Sequence, residues 1–188
     1  MTGATMTLDR SRGDLLKVAG FGMLTGLLTP LMQPLVDRVD GAHGHIRIAL
    51  LAVPFAALVL VLVRRADPRW WVAAAAAFVT MLAFICAVNT AILVDAGVFD
   101  IGKFGRNTLA GLAGGLVGAA LMALGIGLLS GPRKFLPWRS MLIVGTIAGS
   151  LLAVDNALGF ELFSVLYPVW QAGVAAGLML ALQRAPVT

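Results

Sequence analysis

The side chains of this sequence that can do chemistry are few, and they recur at one depth of an otherwise apolar chain. Asn89, Asp155 and Asn156 fall late in long apolar runs, Gln33 holds the same place in the first run, and Gln171 sits early in the last. An amide or carboxylate in hydrocarbon is costly without a partner, so each must bind a neighbouring helix, water, a solute or an ion. Three acids, Asp37, Asp95 and Glu161, stand where apolar runs end. Together these groups read as a polar vestibule with a negative mouth, which favours cations or protonated solutes.

Each residue also has a plainer use. Gln33 and Asp37 are four apart and share a helix face beside Pro30 and Pro34, whose rings kink a helix. Asn89 lies six residues before Asp95, about 9 Å at ~1.5 Å per residue, deep enough to link two helices by hydrogen bonds. Asp155 and Asn156 lie in the membrane if the fifth run is full length, and in an exposed Asp-Asn-Ala-Leu-Gly turn if it is short. Asp40, His43 and His45 form a D-x-x-H-x-H cluster of the ligand types that hold zinc or copper. With no fourth ligand evident, the expectation there is a solvated loop and no metal.

Catalytic signatures are missing. The sequence has no HExxH, no GxSxG and no P-loop, and its two histidines share one loop rather than facing helices, which excludes paired haem ligation. Cys86 is the single cysteine, so no disulfide, CxxC pair or cysteine zinc site forms within the chain. The expectation is a protein that is not an enzyme and carries no cofactor.

The elements that position these residues follow from composition. Of 188 residues 60% are hydrophobic and only 12% charged, whereas a soluble domain carries about 25% charged residues. Mean hydropathy is +0.94. The net charge of +5 sits in short loops between apolar runs, which points to the bilayer as partner and not to nucleic acid. Six runs approach the ~20 residues needed to cross a bilayer: 15–36, 46–63, 70–94, 109–129, 140–154 extended toward 159, and 163–182. The first is expected to be a retained span and not a cleaved signal peptide, having Pro30 and Pro34 inside it and no small-x-small cleavage site after it. The predicted fold is an all-α polytopic membrane protein with six transmembrane helices. Residues 1–14 form a cytoplasmic segment, 15–184 the membrane domain and 185–188 a cytoplasmic tail.

Charge asymmetry orients the spans. Ten Lys and Arg fall on one side, among them Arg64, Arg65, Arg69, Arg133, Lys134 and Arg139, against Arg38, Arg47, Lys103 and Arg106 on the other. The positive-inside rule then puts both termini in the cytoplasm, with a bacterial-type inner membrane as the expected location. Trp70, Trp71 and Trp138 beside the basic loops suit an interfacial belt. The segment 95–107 reads as the longest outer loop.

Residues 80–91 resemble residues 146–157 at an offset of 66, with Asn89 matching Asp155 and Asp95 matching Glu161. Three tandem helical hairpins about a pseudo-threefold axis account for this pattern. Gly111, Gly114, Gly115 and Gly118 supply overlapping GxxxG spacings for close helix packing, repeated at Gly22/Gly26, Gly145/Gly149 and Gly173/Gly177. The leading functional expectation is a small transporter or channel for an ion or solute, with the vestibule facing outward. The alternative is a non-catalytic subunit that anchors, assembles or senses within a membrane complex, as a homo-oligomer or with another protein.

Overall fold

The computed structural model describes residues 2–39, 44–129, 138–159 and 164–183, with side chains from Gly13 onward. All regular elements among them are helical: α1 (Thr2–Leu31), α2 (Gln33–Val36), α3 (His45–Leu51), α4 (Val53–Ala66), α5 (Trp70–Gly97), α6 (Lys103–Leu129), α7 (Arg139–Gly149), α8 (Leu152–Leu158) and α9 (Leu166–Gln183). Four helices are long and apolar enough to cross a membrane: Gly13–Leu31, Trp70–Gly97, Lys103–Leu129 and the α7–α8 unit Arg139–Leu158. The α3–α4 pair makes a fifth if its two halves, bent by 55°, are one span. α9, the sixth run of the sequence, has 18 residues and is not in this set; Pro168, Gln171 and Gln183 lower its hydropathy.

The breaks have local causes. α1 stops at Leu31 just past Pro30, whose missing N–H and ring disrupt the last turn, and Pro34 then enters the first turn of α2, where an N–H is not needed. Pro54 plays the same part at the start of α4, next to the bend at Ala52. Between α7 and α8 the hydroxyl of Ser150 donates to the Ile147 carbonyl (2.7 Å), and that of Thr146 to Leu142 (2.7 Å), a competition with the helix ladder that bends helices. Gly159 closes α8 in the left-handed conformation (φ 63°) that glycine adopts without strain. α6 begins at Lys103, so only residues 98–102 of the expected outer loop lie outside helices. The fifth run, broken between Gly149 and Leu152, has the longer of the two lengths the sequence left open and ends at Leu158, which puts Asp155 and Asn156 on a helix.

The helices form a closed ring. Each packs on its chain neighbour, α4 on α5, α5 on α6, α6 on α7 and α7 on α9, and α1 bridges α9 and α4. Glycines set the distances. A Cβ on Gly22 would lie 2.7 Å from the Ala172 Cα, and Gly26 meets the Pro168 backbone in the same way. Gly111 faces Gly149 and Gly115 faces Gly145, carbonyl against Cα, in an antiparallel crossing of α6 and α7 that any side chain would force apart.

The two ends of the ring differ. At the end carrying Arg64, Arg65, Arg69 and Arg139, a continuous core of Phe55, Val59, Val63, Val72, Met122, Ile126, Met141, Val174 and Leu178 fills the interior. Toward the opposite, acidic end the buried apolar cluster is small, built on Val36, Leu51, Ala52 and Phe84. Outward-facing Phe21, Leu24, Phe78, Leu93, Leu116, Leu128 and Ile147 are exposed, a surface suited to lipid.

Candidate functional site

Where the core thins, a cavity of about 310 Å³ opens between α5, α6, α8 and α9. Its α5 wall is one helical stripe: Phe84, Ala87, Val88, Ala91, Ile92 and Asp95 recur every three or four residues. From Asp95 to Phe84 the stripe descends about 16 Å at ~1.5 Å per residue. On α6 the lining is Asn107, Ala110, Gly111, Gly114 and Gly115, so absent side chains create the space. Tyr167 and Trp170 close the far side against rings of other helices, Trp170 edge to face with Phe55 and Tyr167 tilted against Phe84. Phe84 and Tyr167 have centroids 5.8 Å apart, as have Phe55 and Trp170. The Trp170 indole wedges against Gly118, whose missing Cβ would lie 3.2 Å from its ring, and its buried Nε1–H has no acceptor among the described residues.

Polar groups gather at one end of this apolar chamber. Asp95 and Arg106 approach to 2.7 Å as an ion pair across the α5–α6 connection, offset from hydrogen-bonding alignment. Both are partly exposed, so water screens the pair. Asn107 is 7% exposed, and its side chain has no hydrogen-bond partner among the described residues. Asn156 lines the same end from α8 and is exposed.

The sequence-derived candidates separate into two groups. Asp95, Asn156, Gly111, Gly114 and Gly115 line the cavity, with Gly118 behind Trp170. Asn89, Asp155, Gln33, Asp37 and Gln171 do not. Asn89 donates to the Ile85 carbonyl one turn back (2.8 Å) and lies 3.4 Å from His45 Nδ1. Asp155 turns to the start of α9, accepting from the Ser164 hydroxyl and from the backbone N–H of Val165 (2.8 Å) and Leu166 (3.2 Å). Gln33 opens α2, and Asp37 forms a two-pronged ion pair with Arg47. Gln171 is fully buried between α1 and α9, donating to the Thr29 hydroxyl (2.9 Å), which itself donates to the Thr25 carbonyl (3.1 Å). Its Oε1 has no donor among the described residues. Among the described residues, Asp37 and Asp95 at this end each pair with an arginine, and Asp155 is engaged by a helix end.

Asp40, His43 and Glu161 lie outside the described residues. Among those described, no three His, Cys, Asp or Glu side chains converge as a metal site. At the basic end Asp67 grips Arg69 through both carboxylate oxygens (3.0 and 2.7 Å), a hydrogen-bonded pairing that raises the guanidinium pKa. Asn107 and Arg106 were not singled out by the sequence. Their signal was present, since Asn107, Gly111 and Gly115 are spaced by four and continue the glycine face of α6 one turn toward its start.

No protein family matches the chain, and no curated protein or solved structure is similar to it.

Proposed function

We propose that this chain is a six-span membrane protein, α9 included, with both termini in the cytoplasm, that passes a small solute through the bacterial-type inner membrane. The observation that carries the reading is the contrast between the two ends of the ring. A dry core fills the basic end, and a cavity with polar groups at its rim occupies the other. One-sided access of this kind is how a carrier rests between transport steps, with the site reached from one face and blocked from the other. On the positive-inside orientation the cavity faces outward. The paired acids argue against a mouth tuned for bare cations, so the solute carried is a small neutral or amphipathic one.

The test is solute flux in proteoliposomes of the purified chain. Ala110→Phe fills the chamber and is expected to abolish flux while the protein stays folded and monodisperse. Unchanged flux in that variant removes the cavity from the pathway. Absence of flux in the native chain for neutral, cationic and anionic solutes alike removes transport itself, in favour of a subunit that anchors or assembles a complex.

A further inference from the structure

The composition of the chamber says more than that a small solute fits. An ion path needs a ring of oxygen ligands or charges along its length. This chamber holds about ten waters' worth of space at ~30 Å³ each, and over most of its depth it is walled by Phe84, Val88, Ile92, Leu152, Leu166, the rings of Tyr167 and Trp170, and glycine and alanine. Water in such a space finds few partners, and an apolar group is the better filling. The charges at the rim cancel. Asp95 faces Arg106, and the nearby Asp155 is satisfied by the backbone donors of α9. What is left over, among the described residues, is the buried Trp170 Nε1–H without an acceptor and the amide of Asn107, a residue only 7% exposed that makes no hydrogen bond there and stands where apolar wall meets polar rim. Both groups line the chamber with hydrogen-bonding capacity that a ligand oxygen or hydroxyl can take up. Ile92 both lines the chamber and is 58% exposed, next to Leu93 at 71%, so the opening meets an apolar stretch of surface suited to lipid.

The geometry points to an uncharged amphiphile drawn from the membrane as the ligand. Its chain or ring lies along the α5 stripe between Phe84, Tyr167 and Trp170, and its hydrogen-bonding head meets Asn107, with Asn156 beside it. This inference rests on the membrane reading above and narrows the solute class. An anionic or cationic head gains nothing from the compensated rim and loses its hydration, which sets the selectivity.

Brominated lipids quench tryptophan on contact, and Trp170 lines the chamber. The full chain carrying Trp70→Phe and Trp71→Phe, which removes the two exposed indoles at the basic end, is placed in phosphatidylcholine nanodiscs. It is titrated with a monoacylglycerol brominated on its chain, and separately with the equivalent brominated fatty acid. Saturable quenching by the uncharged probe is expected, reversed by the unbrominated monoacylglycerol and at least about tenfold weaker for the charged acid. Trp170→Phe should remove the saturable component, and Ala110→Phe should block it. Asn107→Leu should move the midpoint about tenfold, the worth of one hydrogen bond. Should that variant fail to fold, the exposed Asn156→Ala, which leaves the core untouched, should move it a fewfold. Quenching that rises linearly with bromolipid content and survives Ala110→Phe is ordinary surrounding lipid and overturns the proposal, as does a preference for the charged acid. Saturable binding without solute flux ends the transport reading alone; flux without saturable binding ends this inference alone.

Discussion

Asp155 on α8 and Leu166 on α9 are joined across a chain reversal by a carboxylate-to-backbone hydrogen bond of 3.2 Å, with Val165 bonded to the other oxygen at 2.8 Å. The carboxylate thus does for α9 what an N-cap does from within a helix. It satisfies donors that have no intrahelical partner and sets negative charge at the positive end of the helix dipole. Asp155→Ala is expected to lower stability by about 1–2 kcal/mol, and Asp155→Asn by less, since the amide oxygen still accepts. Thermal and denaturant unfolding in detergent measure this. If both variants unfold like the native chain yet lose flux, Asp155 acts on a solute and not on the helix.

The glycines separate into two kinds by what surrounds them. Gly111 and Gly149 touch through their backbones, and a methyl on either meets the other's carbonyl, so Gly111→Ala and Gly149→Ala should each cost roughly 1–3 kcal/mol as overpacked contacts, or prevent assembly. Gly20, on the exposed face of α1, has open space where its Cβ would be. Gly20→Ala should be neutral or stabilise by up to about 1 kcal/mol through helix propensity. Equal effects at Gly20 and Gly111 would show that the α6–α7 crossing is looser than described.

Asp95–Arg106 and Asp37–Arg47 link successive helices at the same end of the ring, and all four side chains are between about a third and a half exposed. Exposed pairs contribute little. A double-mutant cycle with Asp95→Asn and Arg106→Gln should give a coupling of about 0.2–1 kcal/mol that shrinks in high salt. A larger, salt-insensitive coupling would mean that the pair is dehydrated in the membrane and belongs to the site's interior.

Depth was legible in the sequence and direction around the helix axis was not. Each apolar run of the sequence falls on helix, though α1 starts at Thr2 and α6 at Lys103, well before the expected 15 and 109, and Asn89, Asp95, Asp155 and Asn156 lie toward one end of the bundle. Yet Asn89 is one residue past Val88, about 100° around α5 from the cavity stripe, and it bonds its own helix instead. Asp155 and Asn156 part in the same way, one to the α9 end and one to the cavity. Which azimuth faces the interior depends on the neighbouring helix, and that is decided by glycine contacts such as Gly115 with Gly145 between distant parts of the chain. The pairing of acids with Arg47 and Arg106 is equally non-local at Asp37, ten residues from its partner, and across a loop at Asp95.

The number of crossings turns on the bent α3–α4 pair and on α9. The packing of α9 favours a span, because Gly173 and Gly177 bring it against Val144 and Met141 of α7 while Gly22 and Gly26 of α1 bear on its other side. On the six-span proposal, a helix held on both sides by helices long and apolar enough to cross a membrane runs alongside them. A fluorescent reporter fused after Thr188 should therefore light in the cytoplasm, and a periplasmic phosphatase reporter at the same point should stay inactive. With Cys86→Ala removing the native thiol, Asp100→Cys in the 98–102 connection should react with a membrane-impermeant maleimide in intact cells. Pro68→Cys, between α4 and α5, should react only after lysis. A C-terminal reporter active on the outside would leave an odd number of crossings. It would also place the solid core and the cavity at depths that the one-sided chamber does not allow, so the transport reading stands or falls with it.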